Sequence, residues 1–188
     1  PSRSSAASDV YKRQGLDDDG VRCFLTHFDM LHEAPVCMGI THDPERQTAF
    51  GHVYWLFDGL NGTLSRFDFQ EPHGPGSLDH SRASIRRFPE IQLSRVDGVP
   101  GHMMVDEVSR VLYIADTGTG RVLRVDADSG TFSHNARRDG YNIYSSMAAT
   151  FEYSIYGCAR HDVFASGLDR PSGLHVDGQH VYVAEYGT

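Results

Sequence analysis

The chain has 188 residues, with 25 acidic residues against 17 lysines and arginines and a formal net charge of −8 at pH 7. This balance excludes nucleic acid and anionic membrane surfaces as expected partners, because phosphate groups are bound by a concentrated basic face. No stretch approaches the roughly 20 apolar residues of a membrane-spanning helix, so no span is expected.

Residues 1–14 (PSRSSAASDVYKRQ) do not resemble the start of a folded domain. They lack an initiator methionine and apolar periodicity, and they resemble translated adapter sequence. We interpret them as a non-native or disordered leader, with a natural Ser-rich disordered leader as the alternative. The folded domain is expected in residues 15–188. The true N-terminus is then missing, so the compartment stays open, with the extracellular space or secretory pathway among the choices.

Three stretches align as copies of one repeat, near residues 35–68, 100–126 and 171–188. Each copy begins with a short run ending in aspartate and continues into an aromatic-containing apolar run ending in an acid. The starts are CMGITHD (37–43), PGHMMVD (100–106) and PSGLHVD (171–177), and the runs are YWLFD (54–58), LYIAD (112–116) and VYVAE (181–185). A shared, gapless spacing after the acid in the first two copies indicates a true repeat.

Each copy predicts strand, turn, strand, turn and strand, because β-branched and aromatic residues occur in short runs between Gly, Asp, Asn or Ser. The strands are apolar at nearly every position, for example MMV (103–105), so both faces are expected to be covered. The blades of a propeller meet that condition. The sequence predicts an all-β fold, a partial β-propeller of about three blades whose last blade is truncated.

The motifs PSGLHVD…VYVAE and LYIADTGTGRVLRVD resemble the NHL repeat, and VYWLFDGLNGTLSR is similar to the related YWTD repeat. Both families build propellers, commonly of six blades. The resemblance covers three blocks of the chain and implies a fold. It implies no single activity, because this architecture carries hydrolases, lyases and binding modules alike.

His102 is the residue for which the sequence predicts a site. It stands where the other copies have Gly39 and Gly173, near the start of the innermost strand, which borders the channel of a propeller. A titratable ring in place of glycine breaks the repeat pattern, and such breaks concentrate at functional sites.

A second resemblance concerns the same residue. VPGHMMVD (99–106) is similar to the blade starts of the peptidylglycine amidating lyase family, which present zinc ligands into the channel. This resemblance implies a metal role for His102, with zinc or calcium as the ion. A hydrogen-bonded structural histidine is the alternative. His42 and His175 lie at other register positions and receive no ligand role.

Two longer segments separate the repeats, QEPHGPGSLDHSRAS (70–84) and one beginning at SGTFSHNARRDGYN (129–142). Insertions in repeat proteins often map to the binding face. His73, Asp79 and His80 in the first segment are of metal-ligating type. Their spacing fits no standard zinc or calcium motif, which favours a mobile polar loop.

The repeated acids Asp58, Asp116 and Glu185, with Arg66 and Arg124, are interpreted as structural. A feature that recurs with the blade indicates ion pairs within the blade and hydrogen bonds to its turns, because catalytic chemistry breaks repeat symmetry.

The basic cluster RASIRR (82–87) is interpreted as a solvated strand edge. Cys23, Cys37 and Cys158 contain no Cys-x-x-Cys pair and predict neither a zinc ribbon nor a redox motif. One disulfide with a free thiol and buried, inert cysteines both stay open. The buried alternative applies in particular to Cys37, which takes the proline position of its repeat.

Two functions are consistent with these patterns. The first is a binding module whose loops and channel mouth hold a small molecule or a protein. The second is a metal-dependent propeller enzyme, lyase-like or lactonase-like, with His102 on a divalent ion.

Overall fold

The computed structural model describes residues 34, 36–44, 53–70, 83–136 and 152–187. These residues form twelve β-strands and no α-helix, which confirms the all-β prediction. The strands are β1 (Cys37–Asp43), β2 (Val53–Asp58), β3 (Thr63–Asp68), β4 (Ser84–Gln92), β5 (Met103–Asp106), β6 (Val111–Asp116), β7 (Arg121–Asp126), β8 (Thr131–Asn135), β9 (Glu152–Gly157), β10 (His161–Ser166), β11 (Pro171–Val176) and β12 (Val181–Glu185). Within these ranges no helix has the length and apolar character needed to cross a membrane.

The strands make three open sheets. The first has the order β1-β2-β3-β4-β9-β8, the second β10-β7-β6-β5 and the third β11-β12. Neighbouring strands are antiparallel, apart from the parallel pair β4–β9. The hairpin β8–β9 follows β7 in the chain but joins the first sheet, and β10 then returns to complete the second sheet.

Equivalent turns connect the second and third strands of the first two sheets. Asp58 and Asp116 end β2 and β6, as the repeat alignment predicts. Gly62 and Gly120 close the two turns at φ of +65° and +63°. This left-handed conformation favours glycine because it has no Cβ, so the repeated Asp and Gly have a local structural cause.

The sheets pack face to face through two apolar layers. Trp55, Phe57 and Leu64 of the first sheet meet Ile114 and Leu123 of the second in one buried cluster. A smaller layer, which includes Val122 and Leu174, joins the second sheet to the third. Full burial of a large apolar side chain stabilises a fold by about 1.5–3 kcal/mol. These two layers cover both faces of the second sheet, and a third buried cluster, which includes Leu56, Phe67 and Ile85, covers the other face of the first sheet.

The first strand of each sheet lies beside that of the next at one common edge. The amide of Gly101 donates to the carbonyl of Met38 over 2.9 Å, and the amide of His102 donates to that of Ser172 over 3.3 Å. A Cβ at Gly39 would lie 1.9 Å from the Gly101 carbonyl oxygen. Only glycine allows the strands to approach this closely.

The second insertion covers the outer edge of the first sheet. In β9, Ser154 and Ile155 pair with Arg86 and Arg87 of β4. The Glu90 carboxylate accepts the backbone N–H groups of residues 158 and 159 over 3.0 and 2.6 Å, which fixes the chain where it leaves β9. Most of the first insertion, with His73, Asp79 and His80, lies outside the described residues, as does the leader 1–14.

The two described cysteines are both free and exposed. The expectation that Cys37 is buried is therefore wrong. β1 is irregular between Cys37 and Gly39, and the thiol lies outside the apolar layers, where it donates to the Gly39 carbonyl over 3.4 Å. Cys158 follows β9, and Cys23 lies outside the described residues.

Candidate functional site

His102 lies at the junction of the second and third sheets, directly before β5. Its ring Nδ1 accepts the backbone N–H of Leu174 over 2.9 Å. Its own carbonyl accepts the N–H of Ala115 over 2.9 Å. The His102 side chain therefore links the second sheet to β11 and provides an acceptor for the Leu174 N–H, which lies on the edge of β11 that does not pair with β12.

This geometry bears on the metal role implied for His102. A metal-bound imidazole usually donates a hydrogen bond from its second nitrogen, whereas Nδ1 accepts one here. In the neutral ring the proton then lies on Nε2, which leaves no lone pair there for a metal. Among the described residues, no three His, Cys, Asp or Glu side chains group as metal ligands would. The arrangement favours a structural histidine, and the metal site stays a prediction.

The repeated acids are engaged in structural contacts. Asp58 forms a buried ion pair with Arg87 and accepts the Asn61 amide side chain over 2.6 Å. Asp116 accepts the side chain of Arg121 over 2.7 Å and the backbone N–H of residue 94 over 2.6 Å. Glu185 accepts the N–H of residue 169 over 2.8 Å.

The repeated arginines, Arg66 and Arg124, do not form ion pairs with the repeated acids in the described structure. Arg66 lies 3.5 Å from Asp68 of the same strand, and Arg124 forms a 2.6 Å ion pair with Asp162 of β10. The ion pairs at the strand ends are instead made by arginines that do not recur at the repeat spacing.

The described part of the basic cluster at residues 82–87, which contains Arg86 and Arg87, is not a solvated strand edge. β9 pairs with β4 on its outer side, so Arg86 and Arg87 lie inside a six-stranded sheet. Arg87 is fully buried. Arg86 points to the opposite face, because side chains alternate along a strand, and lines a pocket.

This pocket, of about 460 Å³, lies between the first two sheets. We call it the arginine pocket. Residues of both sheets, of the β5–β6 turn and of the second insertion line it: Arg66, Arg86, Phe88, Glu107, Val108, Arg110, Ala127, Asp128, Ser129, Gly130 and Tyr156.

Arg110 is held by two carboxylates. Its guanidinium donates to Asp43 over 2.5 and 3.1 Å and to Asp128 over 2.9 to 3.2 Å. Asp43 is fully buried and also accepts the Trp55 indole N–H over 2.8 Å. The hydrogen bonds that Arg110 donates to Asp43, opposed by desolvation and reinforced by Asp128, raise the pKa of Arg110. The charge of Arg110 is thus neutralised within the protein.

Arg86 differs from Arg110 in having an aromatic partner. Its guanidinium carbon lies 4.9 Å from the centre of the Tyr156 ring, in cation–π geometry. Its Nε is buried and makes no hydrogen bond within the described part of the chain. Arg86 also faces Arg66 directly across β3 and β4, as a pair of like charges.

Aromatic neighbours hold Tyr156 in place. The ring centres of Phe88 and Phe132 lie 5.8 and 6.1 Å from that of Tyr156. Tyr156 belongs to β9, so the second insertion supplies one wall of the arginine pocket.

Sequence reasoning missed this site, although a signal was present. Two adjacent arginines on a strand point to opposite faces. If the strand lies inside a sheet that is covered on one face, the arginine on that face needs a hydrogen-bonding or ionic partner. The missing information was the position of β9. No protein-family model, curated protein or solved structure matches this chain.

Proposed function

We propose that this chain contributes three blades to an NHL-type β-propeller and acts as a binding module, with a small-molecule ligand in the arginine pocket. The observation that carries the binding function is Arg86. Its side chain is a partly buried cation that lines the pocket. The Nε atom of Arg86 is buried and makes no hydrogen bond within the described part of the chain. Buried polar groups are normally hydrogen-bonded, so an unmet donor at a cavity favours a ligand.

The arrangement of the sheets supports the propeller part of the proposal. The first strands of the three sheets, β1, β5 and β11, follow one another in chain order and meet at a common edge, and the sheets stack through apolar layers. Blades around a channel have this relationship, with the first strand of each blade innermost. The resemblance to the NHL repeat points to the same architecture.

The size and position of the pocket support binding. Small-molecule pockets commonly enclose about 300–1,000 Å³, and this pocket of about 460 Å³ falls in that range. An insertion forms one of its walls, in agreement with the tendency of insertions to build binding faces in repeat proteins.

Amide chemical-shift mapping on the full chain tests the binding function. The probes are benzoate, benzamide, benzylamine and inorganic phosphate, each titrated at pH 7. We expect at least one probe to shift the amides of Arg86, Asp128 and Tyr156 along a saturable curve. If none of the four shifts these amides, the pocket is not a binding site and the proposal is wrong.

The metal-enzyme alternative has its own test in the His102→Ala variant. A structural histidine predicts unchanged zinc and calcium content by plasma emission and faster hydrogen exchange at the Leu174 amide. A metal ligand predicts lower metal content with an unchanged melting temperature of the metal-stripped protein. The second result would favour the enzyme over the binding module.

A further inference from the structure

We propose that the ligand of the arginine pocket is a small organic acid with a single carboxylate attached to a flat apolar group, and that Arg86 binds the carboxylate. This inference rests on the proposed binding function and names its ligand class. It is argued from the ion pairs that already neutralise charges in the pocket, from the aromatic and aliphatic side chains that line it, and from the effect of Arg86 on the stability of the unliganded protein.

The charges of the pocket favour an anion at Arg86. The charge of Arg110 is neutralised by Asp43 and Asp128. Arg66, the other arginine of the pocket besides Arg86, forms an ion pair with Asp68. Arg86 makes no ion pair with any described residue, and its guanidinium lies over the face of the Tyr156 ring. A guanidinium presents a planar set of donors that suits a carboxylate. Arg86 is therefore the cation that a ligand would meet.

The acids of the pocket limit the ligand to one negative charge. Glu107 and Asp128 line the same cavity as Arg86. A phosphate dianion would be repelled by both, whereas a carboxylate brings one charge to one unmatched guanidinium. Like charges close together cost free energy in a partly desolvated site. A monoanion thus fits the site better than phosphate.

The aromatic wall favours a flat apolar group beside the carboxylate. Tyr156 supplies the partly exposed aromatic surface of the cavity, and Phe88, which is only 2% exposed, packs behind it with the ring centres 5.8 Å apart; Val108 and Ala127 also line the cavity. Aromatic rings prefer offset-stacked or edge-to-face contacts with other rings. An aromatic acid can place its ring against the apolar side chains and its carboxylate on the guanidinium at the same time. An aliphatic ammonium ion or a neutral amide cannot make both contacts.

Arg86 is expected to destabilise the unliganded protein. It faces Arg66 directly across two strands, and like charges in that position are unfavourable. Its buried Nε lacks a hydrogen bond, which is a further cost. Residues kept for binding commonly carry such a cost in stability. A structural arginine would instead stabilise the fold, so stability distinguishes the two roles.

The test compares benzoate with benzamide, which share a ring and differ in the charged group. Binding to the full chain is followed by amide chemical shifts at pH 7. We expect benzoate to bind at least tenfold more tightly than benzamide, and inorganic phosphate not to bind. In Arg86→Met, benzoate affinity falls at least tenfold and benzamide affinity is unchanged. Arg95→Met is the matched control, because Arg95 is exposed, pairs with Asp97 and does not line the pocket; it leaves both affinities unchanged.

Each other outcome has a definite meaning. If benzamide binds as tightly as benzoate, the carboxylate assignment is wrong while the binding function stands. If phosphate binds and benzoate does not, the ligand class is wrong. If no probe binds, both proposals fail. The melting temperature of Arg86→Met is expected to equal or exceed that of the unsubstituted protein; a variant that is unfolded or melts earlier would make Arg86 a structural residue and overturn the inference.

Discussion

The buried ion pair between Arg87 and Asp58 gives the sharpest stability prediction. Both side chains have 0% exposure, and Arg87 also donates to the Tyr153 hydroxyl over 2.5 Å and to the Ser65 hydroxyl over 3.1 Å. Removal of one member of a buried ion pair costs about 3–5 kcal/mol, because the other charge is left without its partner. We expect Arg87→Met to lower the free energy of unfolding by this amount.

The second sheet offers a matched control for this substitution. Asp116 is equivalent to Asp58 and is also fully buried, but its partner Arg121 keeps 28% of its side chain exposed. Solvent screens that pair, so Arg121→Met should cost only about 1 kcal/mol. The double variant Asp58→Asn/Arg87→Met should recover part of the loss, because no buried charge remains without its partner.

Urea unfolding followed by tryptophan fluorescence measures these differences. The chain has one tryptophan, and Trp55 lies in the apolar layer between the first two sheets, next to the sheets that carry both ion pairs. Equal losses in Arg87→Met and Arg121→Met, or a loss below about 1 kcal/mol in Arg87→Met, would refute the reasoning from burial.

Three further predictions concern separate parts of the chain. Gly39→Ala should lower the free energy of unfolding in urea by about 3 kcal/mol, since its Cβ would lie 1.9 Å from a backbone oxygen. Gly173→Ala should lower it by no more than about 1 kcal/mol, because the nearest atom to its Cβ belongs to a side chain 3.1 Å away. Equal losses in the two variants would contradict the close-approach argument. Backbone hydrogen bonds from His180 and Gln179 lower the pKa of Asp177 to about 2 from a usual 3.8. The turn between β11 and β12 should therefore be fully stabilised above pH 3.8 and lose this contribution as the pH falls toward 2, seen as reduced hydrogen-exchange protection of the His180 amide, and unchanged protection would argue against it. Deletion of residues 1–14 should change the free energy of unfolding by less than about 1 kcal/mol, and a larger loss would make the leader part of the fold.

The all-β class and the strand ends could be predicted because their causes are local. An acid at the end of a strand that accepts hydrogen bonds from its turn, followed by a glycine at positive φ, needs only a few neighbouring residues; Asp58 accepts backbone N–H groups of its turn and Asp116 accepts the Thr119 hydroxyl. Asp58 and Asp116 occupy these places in the structure as the repeat alignment requires. The alternation of side chains between the two faces of a strand likewise follows from the local backbone geometry.

Other features were decided by tertiary structure, because they depend on partners distant in the chain. The Nδ1 of His102 meets an amide 72 residues away, and the partner of Arg87 at the Tyr153 hydroxyl lies 66 residues away. No local pattern places β9 beside β4, yet that pairing turns an apparently solvated basic cluster into a buried ion pair on one face and the arginine pocket on the other. The residue types and strand periods determined which side chains alternate between faces, while long-range strand pairing determined what each face meets and therefore where a ligand can bind.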